Sequence, residues 1–269
     1  MTAQTPLANK AIIELRNATI GYGGVGAVRE ATFSVERGEA LALVGPNGSG
    51  KSTIIGALAG LTDLIDGEVE VLGSPVAQLR ERWRVGYVPQ ASSISDRGLT
   101  VWELVATGRL ARLSPVRPMG KTDRGAITKA LELVDLAGLE RSRLEELSGG
   151  QLRRALIART LAAEPDLLLA DEPTTGVDAA TRESLAQSLR TLHEEGLTIV
   201  LVSHEIGPVE EIVSRVVALR DGKIDYDGPP RPSDRVGDGE HHHHHHDDEH
   251  HLFHPDSSLT AASSTGLIK

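Results

Sequence analysis

The stretch that decides the fold reads Gly45-Pro46-Asn47-Gly48-Ser49-Gly50-Lys51-Ser52-Thr53. It fits the phosphate-loop pattern G-x-x-x-x-G-K-[ST], and the apolar run 40–44 directly before it predicts a buried strand. Glycines let successive backbone N–H groups wrap a β-phosphate, Lys51 adds a point charge between the β- and γ-phosphates, and the Ser52 hydroxyl completes a Mg²⁺ shell. We therefore expect a nucleoside triphosphate, with Mg²⁺, at the start of the helix that follows.

A second segment, Leu147-Ser148-Gly149-Gly150-Gln151, stands before a helix-like run over 152–163. This LSGGQ sequence is the signature of the ATP-binding cassette (ABC) ATPases, and with the phosphate loop upstream it makes the chain resemble that family. The resemblance implies that Ser148, Gly149 and Gly150 present a hydroxyl and backbone N–H groups to the γ-phosphate of ATP bound by a partner subunit, and that Gln151 belongs to the same nucleotide-binding segment. It thereby implies a head-to-tail homodimer that closes over two nucleotides and opens again.

A third segment, Asp171-Glu172-Pro173, follows the run 165–170, which is apolar from Leu167 onwards and predicts a strand that ends in two acids. Because a strand alternates its side chains between two faces, we expect the neighbouring acids to have different roles. The resemblance implies that Asp171 holds Mg²⁺ and that Glu172 polarises the attacking water. Ala170 departs from the bulkier aliphatic residue usual in the family, a change that touches no catalytic group.

Four single residues match smaller motifs of the same family. The resemblance implies that Gln90 contacts Mg²⁺ at the joint between two lobes and that Asp178 lies in the loop that crosses the dimer. It implies that His204 reaches the γ-phosphate and fixes the geometry of Glu172. Tyr22 matches the aromatic residue that stacks on adenine, in a chain with only three tyrosines, two tryptophans and two phenylalanines.

The composition agrees with this interpretation. The chain has 269 residues, 39% of them hydrophobic, and no apolar run of the roughly 18 residues that a membrane span needs. It has no cysteine and opens on no charged-then-apolar leader, so we expect a peripheral protein on the cytoplasmic face of the membrane, which borrows its transmembrane path from a permease. A net charge of −10 and a pI near 5.6 argue against nucleic acid as a partner.

The order of patterns predicts an α/β P-loop ATPase cassette over residues 11–230. It comprises a parallel core sheet, a small antiparallel β subdomain with strands at 11–20 and 31–35, and an inserted α-helical subdomain at about 91–150. In transporters of the family this helical lobe receives a short coupling helix from the permease. The alternative that it packs only on its own chain stays open.

Residues 231–269 have few large apolar side chains, and we expect them to form a disordered tail. Nine of the eleven histidines lie there: His241, His242, His243, His244, His245, His246, His250, His251 and His254. Imidazoles among carboxylates suit Zn²⁺ or another transition metal. A purification tag is the alternative, although 23 residues follow His246 and continue with acids and histidines.

We therefore expect the ATP-hydrolysing subunit of an importer for a divalent transition metal, zinc or manganese first, supplied indirectly by an extracytoplasmic metal-binding protein. The wording of the signature and of 171–178 resembles the branch that takes up zinc, manganese or iron(II). The alternatives are the same ATPase serving another cargo or an exporter, and a histidine-rich metal-binding protein whose ATPase core is regulatory. A cassette acting on ribosomes or DNA usually has two cassettes or a long coiled-coil insertion, and neither pattern occurs here.

Overall fold

The computed structural model describes residues 11–90, 98–113, 118–173, 178–203 and 206–235, all within the first of two compact units, Met1–Asp238. The strands are β1 Ala11–Tyr22, β2 Val25–Glu36, β3 Ala40–Val44, β4 Asp63–Val71, β5 Ser74–Pro75, β6 Val85–Val88, β7 Leu167–Asp171, β8 Thr198–Val202, β9 Arg215–Arg220 and β10 Lys223–Gly228. The α-helices are α1 Lys51–Leu58, α2 Val101–Thr107, α3 Lys121–Leu133, α4 Gly149–Ala162 and α5 Ala179–Glu194.

These strands form two sheets. The smaller is antiparallel, in the order β2-β1-β4-β5, and the larger has the order β10-β9-β3-β8-β7-β6. In the larger sheet β9, β3, β8, β7 and β6 run parallel, and β10 pairs antiparallel at one edge. The expected parallel core sheet and small antiparallel sheet are confirmed.

Strand β3 is apolar and buried at every position because both of its faces are covered. Ala40, Ala42 and Val44 of β3 belong to a core cluster shared with helices α2 to α5. Leu41 and Leu43 point the other way, into a cluster shared with α1 and the antiparallel sheet. The continuous apolar run that predicted this strand therefore reflects a layer buried from both sides.

The first two strands extend further than the expected segments 11–20 and 31–35. They form one hairpin that turns at Gly23 and Gly24, whose φ angles of 56° and 81° glycine adopts without strain. The β2 residues before Ala31 alternate poorly in hydrophobicity, and register shifts interrupt their pairing with β1. Residues 25–30 nevertheless belong to the strand because their backbone pairs with β1.

Helices α2, α3 and α4 pack on one another beside the parallel sheet. The segments 101–110 and 126–136, expected to be amphipathic helices, correspond to α2 with a following 3₁₀ turn and to most of α3. Thr100 begins α2 with a capping box, in which its hydroxyl accepts from Glu103 N and Glu103 Oε2 accepts from Thr100 N. The limits of the inserted subdomain stay a prediction.

Across the described ranges, every helix is too short or too polar to cross a bilayer.

Candidate nucleotide site

The site lies at the carboxyl ends of the parallel strands, where the loops after β3, β6 and β7 meet. In parallel sheets such ends share one edge, and ligands bind there. The order β3-β8-β7-β6 brings the phosphate loop, Asp171 and Gln90 to this edge. The strand order thus brings together site residues that are far apart in the sequence.

The phosphate loop needs its glycines for two different reasons. Gly45 and Gly50 have φ angles of 138° and 106°, which side chains rarely adopt. A Cβ on Gly45 would also lie 2.2 Å from Leu219 O of β9, and one on Gly50 would lie 2.4 Å from Val28 Cγ2. The loop is therefore held tightly against β9 and β2 at both of these glycines.

Inside the loop, polar groups collect around the start of α1. Lys51 is buried, and its Nζ donates to Gly45 O at 2.7 Å and to Pro46 O at 2.9 Å. The Ser49 hydroxyl is buried and has no hydrogen-bond partner among the described residues. A buried hydroxyl in that state can be satisfied by a polar ligand. The loop's ammonium, its hydroxyls and its helix N-terminus fit a phosphate group.

Ser52 and Asp171 meet although they lie 119 positions apart: Ser52 Oγ donates to Asp171 Oδ1 at 3.2 Å. Burial raises the pKa of Asp171, the hydrogen bond from Ser52 opposes that shift, and the nearby Glu172 adds to it. A hydroxyl and a buried carboxylate side by side are the hard oxygen ligands that Mg²⁺ takes next to phosphates. These two side chains fit the metal that the sequence predicted for them.

Glu172 follows β7 and is buried beside Gln90. Gln90 Nε2 donates to Glu172 Oε2 at 2.6 Å. The Glu172 backbone N–H also donates to Val202 O of β8 at 3.1 Å. The structure therefore brings together the two residues expected to act on the attacking water and on Mg²⁺.

The reason given for separate roles of Asp171 and Glu172 was wrong. Strand alternation does not separate them, because β7 ends at Asp171 and Glu172 adopts a left-handed φ of 46°. Both acids are buried, and the Asp171 carboxylate contacts Ser52 whereas the Glu172 carboxylate contacts Gln90. The backbone turn, rather than the pleat, directs the two carboxylates to different partners.

Arg153, on the second turn of α4, lies in the run 152–163, which predicted a helix but no role for this side chain. Its side chain is buried, and it donates to backbone carbonyls just after β6 and at the end of β7. Burial lowers the pKa of Arg153, while the charges of Asp171 and Glu172 oppose that shift. The only sequence feature that could have pointed to this residue was its position, two residues after the signature. Its hydrogen-bond partners could not be predicted, because they depend on the tertiary structure.

The LSGGQ segment starts a helix, as expected. Ser148 caps α4: its hydroxyl accepts from Gln151 N at 3.2 Å, and Gln151 Oε1 accepts from Ser148 N at 2.9 Å. A Cβ on Gly149 would meet nothing within 4 Å, whereas one on Gly150 would lie 2.9 Å from Thr181 Oγ1. The first turn of α4 is thus open at Gly149 and closely approached at Gly150.

Asp178 caps the neighbouring helix α5. Its Oδ1 accepts from Thr181 N at 3.0 Å and its Oδ2 from the Thr181 hydroxyl at 2.7 Å, so the pKa of Asp178 is lowered by the Thr181 backbone and side chain. Thr181 lies against Gly150, so the loop of Asp178 and the signature turn are neighbours within one chain.

Tyr22 lies at the end of β1 with 59% of its surface exposed. The Thr62 hydroxyl donates to its phenolic oxygen at 3.2 Å. An exposed ring held at one edge by a hydrogen bond can offer a face to a nucleobase.

Two groups of expected site residues lie outside the described residues. They are His204, and the nine histidines at 241–246, 250, 251 and 254. Within the described ranges, no group of three or more metal-ligating side chains is placed to hold a metal ion.

The chain belongs to the ABC transporter family, whose model matches residues 28–175, and it is an ABC-type ATPase. It is 36% identical over 208 residues to the zinc transport system ATP-binding protein TroB of Treponema pallidum. The matched region spans 77% of this chain and 77% of TroB. It is also 36% identical over 205 residues to the chelated iron transport system membrane protein YfeB of Yersinia pestis, covering 76% of this chain and 69% of that one.

Relatives with another cargo are as similar. The sulfate/thiosulfate import ATP-binding protein CysA of Escherichia coli K12 is 36% identical over 220 residues, 81% of this chain and 60% of that one. Family membership therefore does not fix the cargo.

Solved structures agree on the P-loop cassette fold. A metal-chelate type ABC transporter in an inward-facing conformation superposes with a TM-score of 0.70 at 28% identity, over 82% of this chain and 84% of that one. A dimeric bacterial ABC transporter cassette gives a TM-score of 0.72 at 29% identity, over 81% and 99%.

Proposed function

We propose that this ABC ATPase works as a homodimer beneath a permease and drives the import of a divalent transition metal, zinc or manganese first. The observation that carries the hydrolytic part is the hydrogen bond of 2.6 Å between Gln90 and Glu172, beside the pair of Ser52 and Asp171 at 3.2 Å. The metal cargo is supported by the relatives named for zinc and chelated iron transport.

In the proposed mechanism, Glu172 accepts the proton of the water that attacks the γ-phosphate in line. Gln90 orients the carboxylate of Glu172, because its Nε2 donates a hydrogen bond to Oε2. Lys51 neutralises phosphate charge from the phosphate loop, and Tyr22 stacks on the adenine. His204 contributes a further donor to the γ-phosphate.

Mg²⁺ would be held by Ser52, Asp171 and Gln90, and when bound it neutralises the charge that develops on the phosphates. Residues 148–151 and Asp178 of a second copy would complete each site from the other side. Their helix N-termini direct backbone N–H groups outward, and Gly149 has room for a ligand.

The test of the hydrolytic roles is Glu172→Gln in the full-length chain. The amide keeps the size of the side chain but cannot accept the water's proton, so we expect turnover to fall by about 10²–10⁴-fold. ATP binding should persist, and a nucleotide-bound dimer should accumulate in size-exclusion chromatography. Glu183→Gln, on the exposed surface of α5, is the matched control and should turn over as wild type. Hydrolysis at the wild-type rate by the Glu172→Gln variant would show that Glu172 does not accept the proton of the attacking water.

The cargo is tested by uptake into vesicles that hold the full chain together with a permease and an extracytoplasmic binding protein from the same organism. We expect ATP-dependent accumulation of Zn²⁺ or Mn²⁺, with Fe²⁺ as the third ion measured. The Glu172→Gln complex is the control for passive leakage. Hydrolysis without accumulation of any metal would contradict the proposed cargo.

Sulfate or thiosulfate is the second candidate cargo, because CysA is as similar to this chain as the metal-transport relatives are. The same vesicles separate the two candidates when radiolabelled sulfate replaces the metal. The direction of transport is tested in inside-out vesicles. ATP-dependent accumulation of the ion in their lumen would indicate an exporter, whereas ATP-dependent loss of preloaded ion would indicate an importer.

We further propose that the histidine-rich segment of residues 241–254 binds the transported metal. Its imidazoles and carboxylates are suitable ligands for Zn²⁺. Replacing its nine histidines by glutamine keeps the length and net charge of the tail. Loss of Zn²⁺ binding in calorimetry with unchanged ATP turnover would assign the tail to buffering, and altered turnover would assign it to regulation. Unchanged Zn²⁺ binding would reject the tail as a site.

A further inference from the structure

Arg153 is hydrogen-bonded in an unusual way for a charged side chain. A guanidinium has five N–H donors in a planar fork, and each has a backbone carbonyl as acceptor here. Nη1 donates to Pro89 O at 2.6 Å and Gln90 O at 2.8 Å. The other three donors bind the last residue of β7 and the two residues that follow it.

In that segment, Nη2 donates to Glu172 O at 3.0 Å and Asp171 O at 3.3 Å, and Nε donates to Pro173 O at 3.3 Å. The Arg153 residue as a whole is 8% exposed. A rigid fork with all five donors satisfied fixes the relative position of the groups it binds far better than a flexible ammonium would.

The two segments that Arg153 joins are those that carry the reactive pair. Gln90 and Glu172 meet at 2.6 Å between side chains, 82 positions apart, and Arg153 holds the carbonyl of each. Backbone hydrogen bonds between β6 and β7 do not hold Gln90 and Glu172 together, because β6 ends at Val88 and β7 ends at Asp171, before these two residues. The guanidinium therefore supplies the connection beyond the last paired residues of the sheet.

Arg153 also belongs to α4, whose first turn is the signature segment. We propose that Arg153 is a positioning residue for ATP hydrolysis, which fixes the Gln90–Glu172 pair through the two backbones and ties that pair to the position of the signature helix. The proposal rests on the proposed roles of Gln90 and Glu172. A nucleotide that binds the first turn of α4 and displaces this helix would therefore also move Glu172 of the same chain, because Arg153 connects the two.

The test is Arg153→Gln in the full-length chain, measured as steady-state ATP hydrolysis with equilibrium MgATP binding. Because a misplacement of about 1 Å can cost about 10²-fold in rate, we expect kcat to fall by about that factor while KM and the Kd for MgATP stay near wild type. Arg154→Gln is the matched control. The next side chain on the same helix donates to Val134 O and to Asp135, within the helical lobe, and its loss should leave kcat near wild type.

A double-mutant cycle with Gln90→Ala separates positioning from mere stabilisation. If Arg153 acts through the Gln90–Glu172 pair, the double variant should be no slower than the slower single variant. Losses in kcat that multiply would overturn the proposal. So would a wild-type kcat for Arg153→Gln, or a kcat loss that only follows the fraction of folded protein in a thermal melt.

Arg153→Lys keeps the charge and serves if the glutamine variant does not fold. Its single ammonium cannot bind both segments with five donors, so an intermediate kcat with normal nucleotide affinity is expected, and a wild-type kcat would reject the fork geometry. Glu172→Gln separates this inference from the proposed function. Turnover by that variant rejects the catalytic pair itself, whereas its inactivity combined with a fully active Arg153→Gln rejects only the role of Arg153.

Discussion

Replacing Gly45 by alanine tests how tightly the phosphate loop is held against β9. A Cβ on Gly45 would lie 2.2 Å from Leu219 O and 3.0 Å from Ser49 Oγ. Since ordinary non-bonded contacts are about 3.5 Å, the loop or β9 must shift by more than about 1 Å. The loop also bonds β9's following turn, because Gly222 N donates to Ser49 O at 3.2 Å, so such a shift strains that hydrogen bond.

Two costs add at Gly45. Overpacking against a backbone carbonyl costs about 1–3 kcal/mol, and a left-handed conformation costs a non-glycine residue about 1–2 kcal/mol. We therefore expect Gly45→Ala to lower the free energy of unfolding by about 2–5 kcal/mol. Gly48→Ala is the matched control, since Gly48 has a φ of 78° and a Cβ there would meet nothing within 4 Å. It should lose only about 1–2 kcal/mol.

The assay is urea unfolding without nucleotide, followed by far-UV circular dichroism, with thermal melts in parallel. The Gly45 variant should have the lower midpoint, by about 2–4 °C in the thermal melt for each kcal/mol that separates the two variants. Equal destabilisation of the two variants would refute the argument, because it would mean that the approach of β9 to Gly45 carries no energetic weight and only the backbone angle matters.

The remaining predictions concern three side chains of the site. Asp171→Asn should raise the melting temperature of the nucleotide-free protein at neutral pH, because burial raises the pKa of Asp171 and so disfavours its charged form in the folded state. The sign follows from linkage: the gain should be present above the raised pKa and absent below the ordinary value of about 3.9, and a gain that is equal at pH 3 and pH 7 would contradict it. Tyr22→Ala should weaken ATP binding by about ten- to a hundredfold without lowering the melting temperature, and Tyr22→Phe, which loses only the contact with Thr62, should bind nearly as wild type. Gln90→Ala should lower kcat more than ATP affinity, measured by hydrolysis and by equilibrium binding, because it removes the donor at 2.6 Å from Glu172; a change in affinity alone would count against it.

The sequence by itself determined the family and most of the local structure. The phosphate loop and the LSGGQ turn are local arrangements, in which backbone angles, glycines and a capping side chain within a few positions specify the geometry. The strand over 40–44 and the helix after Ser148 were predictable for the same reason, since periodicity and caps are short-range signals. The position of His204 and the structure of the tail lie outside the described residues, and their roles stay predictions.

Only the tertiary structure decided how the site residues meet. Gln90 touches Glu172 across 82 positions and Ser52 touches Asp171 across 119. Both contacts depend on the order β3-β8-β7-β6, which no local pattern encodes, because the choice of neighbouring strand follows from packing over the whole sheet. Arg153 is the clearest case: its five acceptors are backbone carbonyls, which carry no side-chain signature, so their arrangement around one guanidinium exists only once the chain has folded.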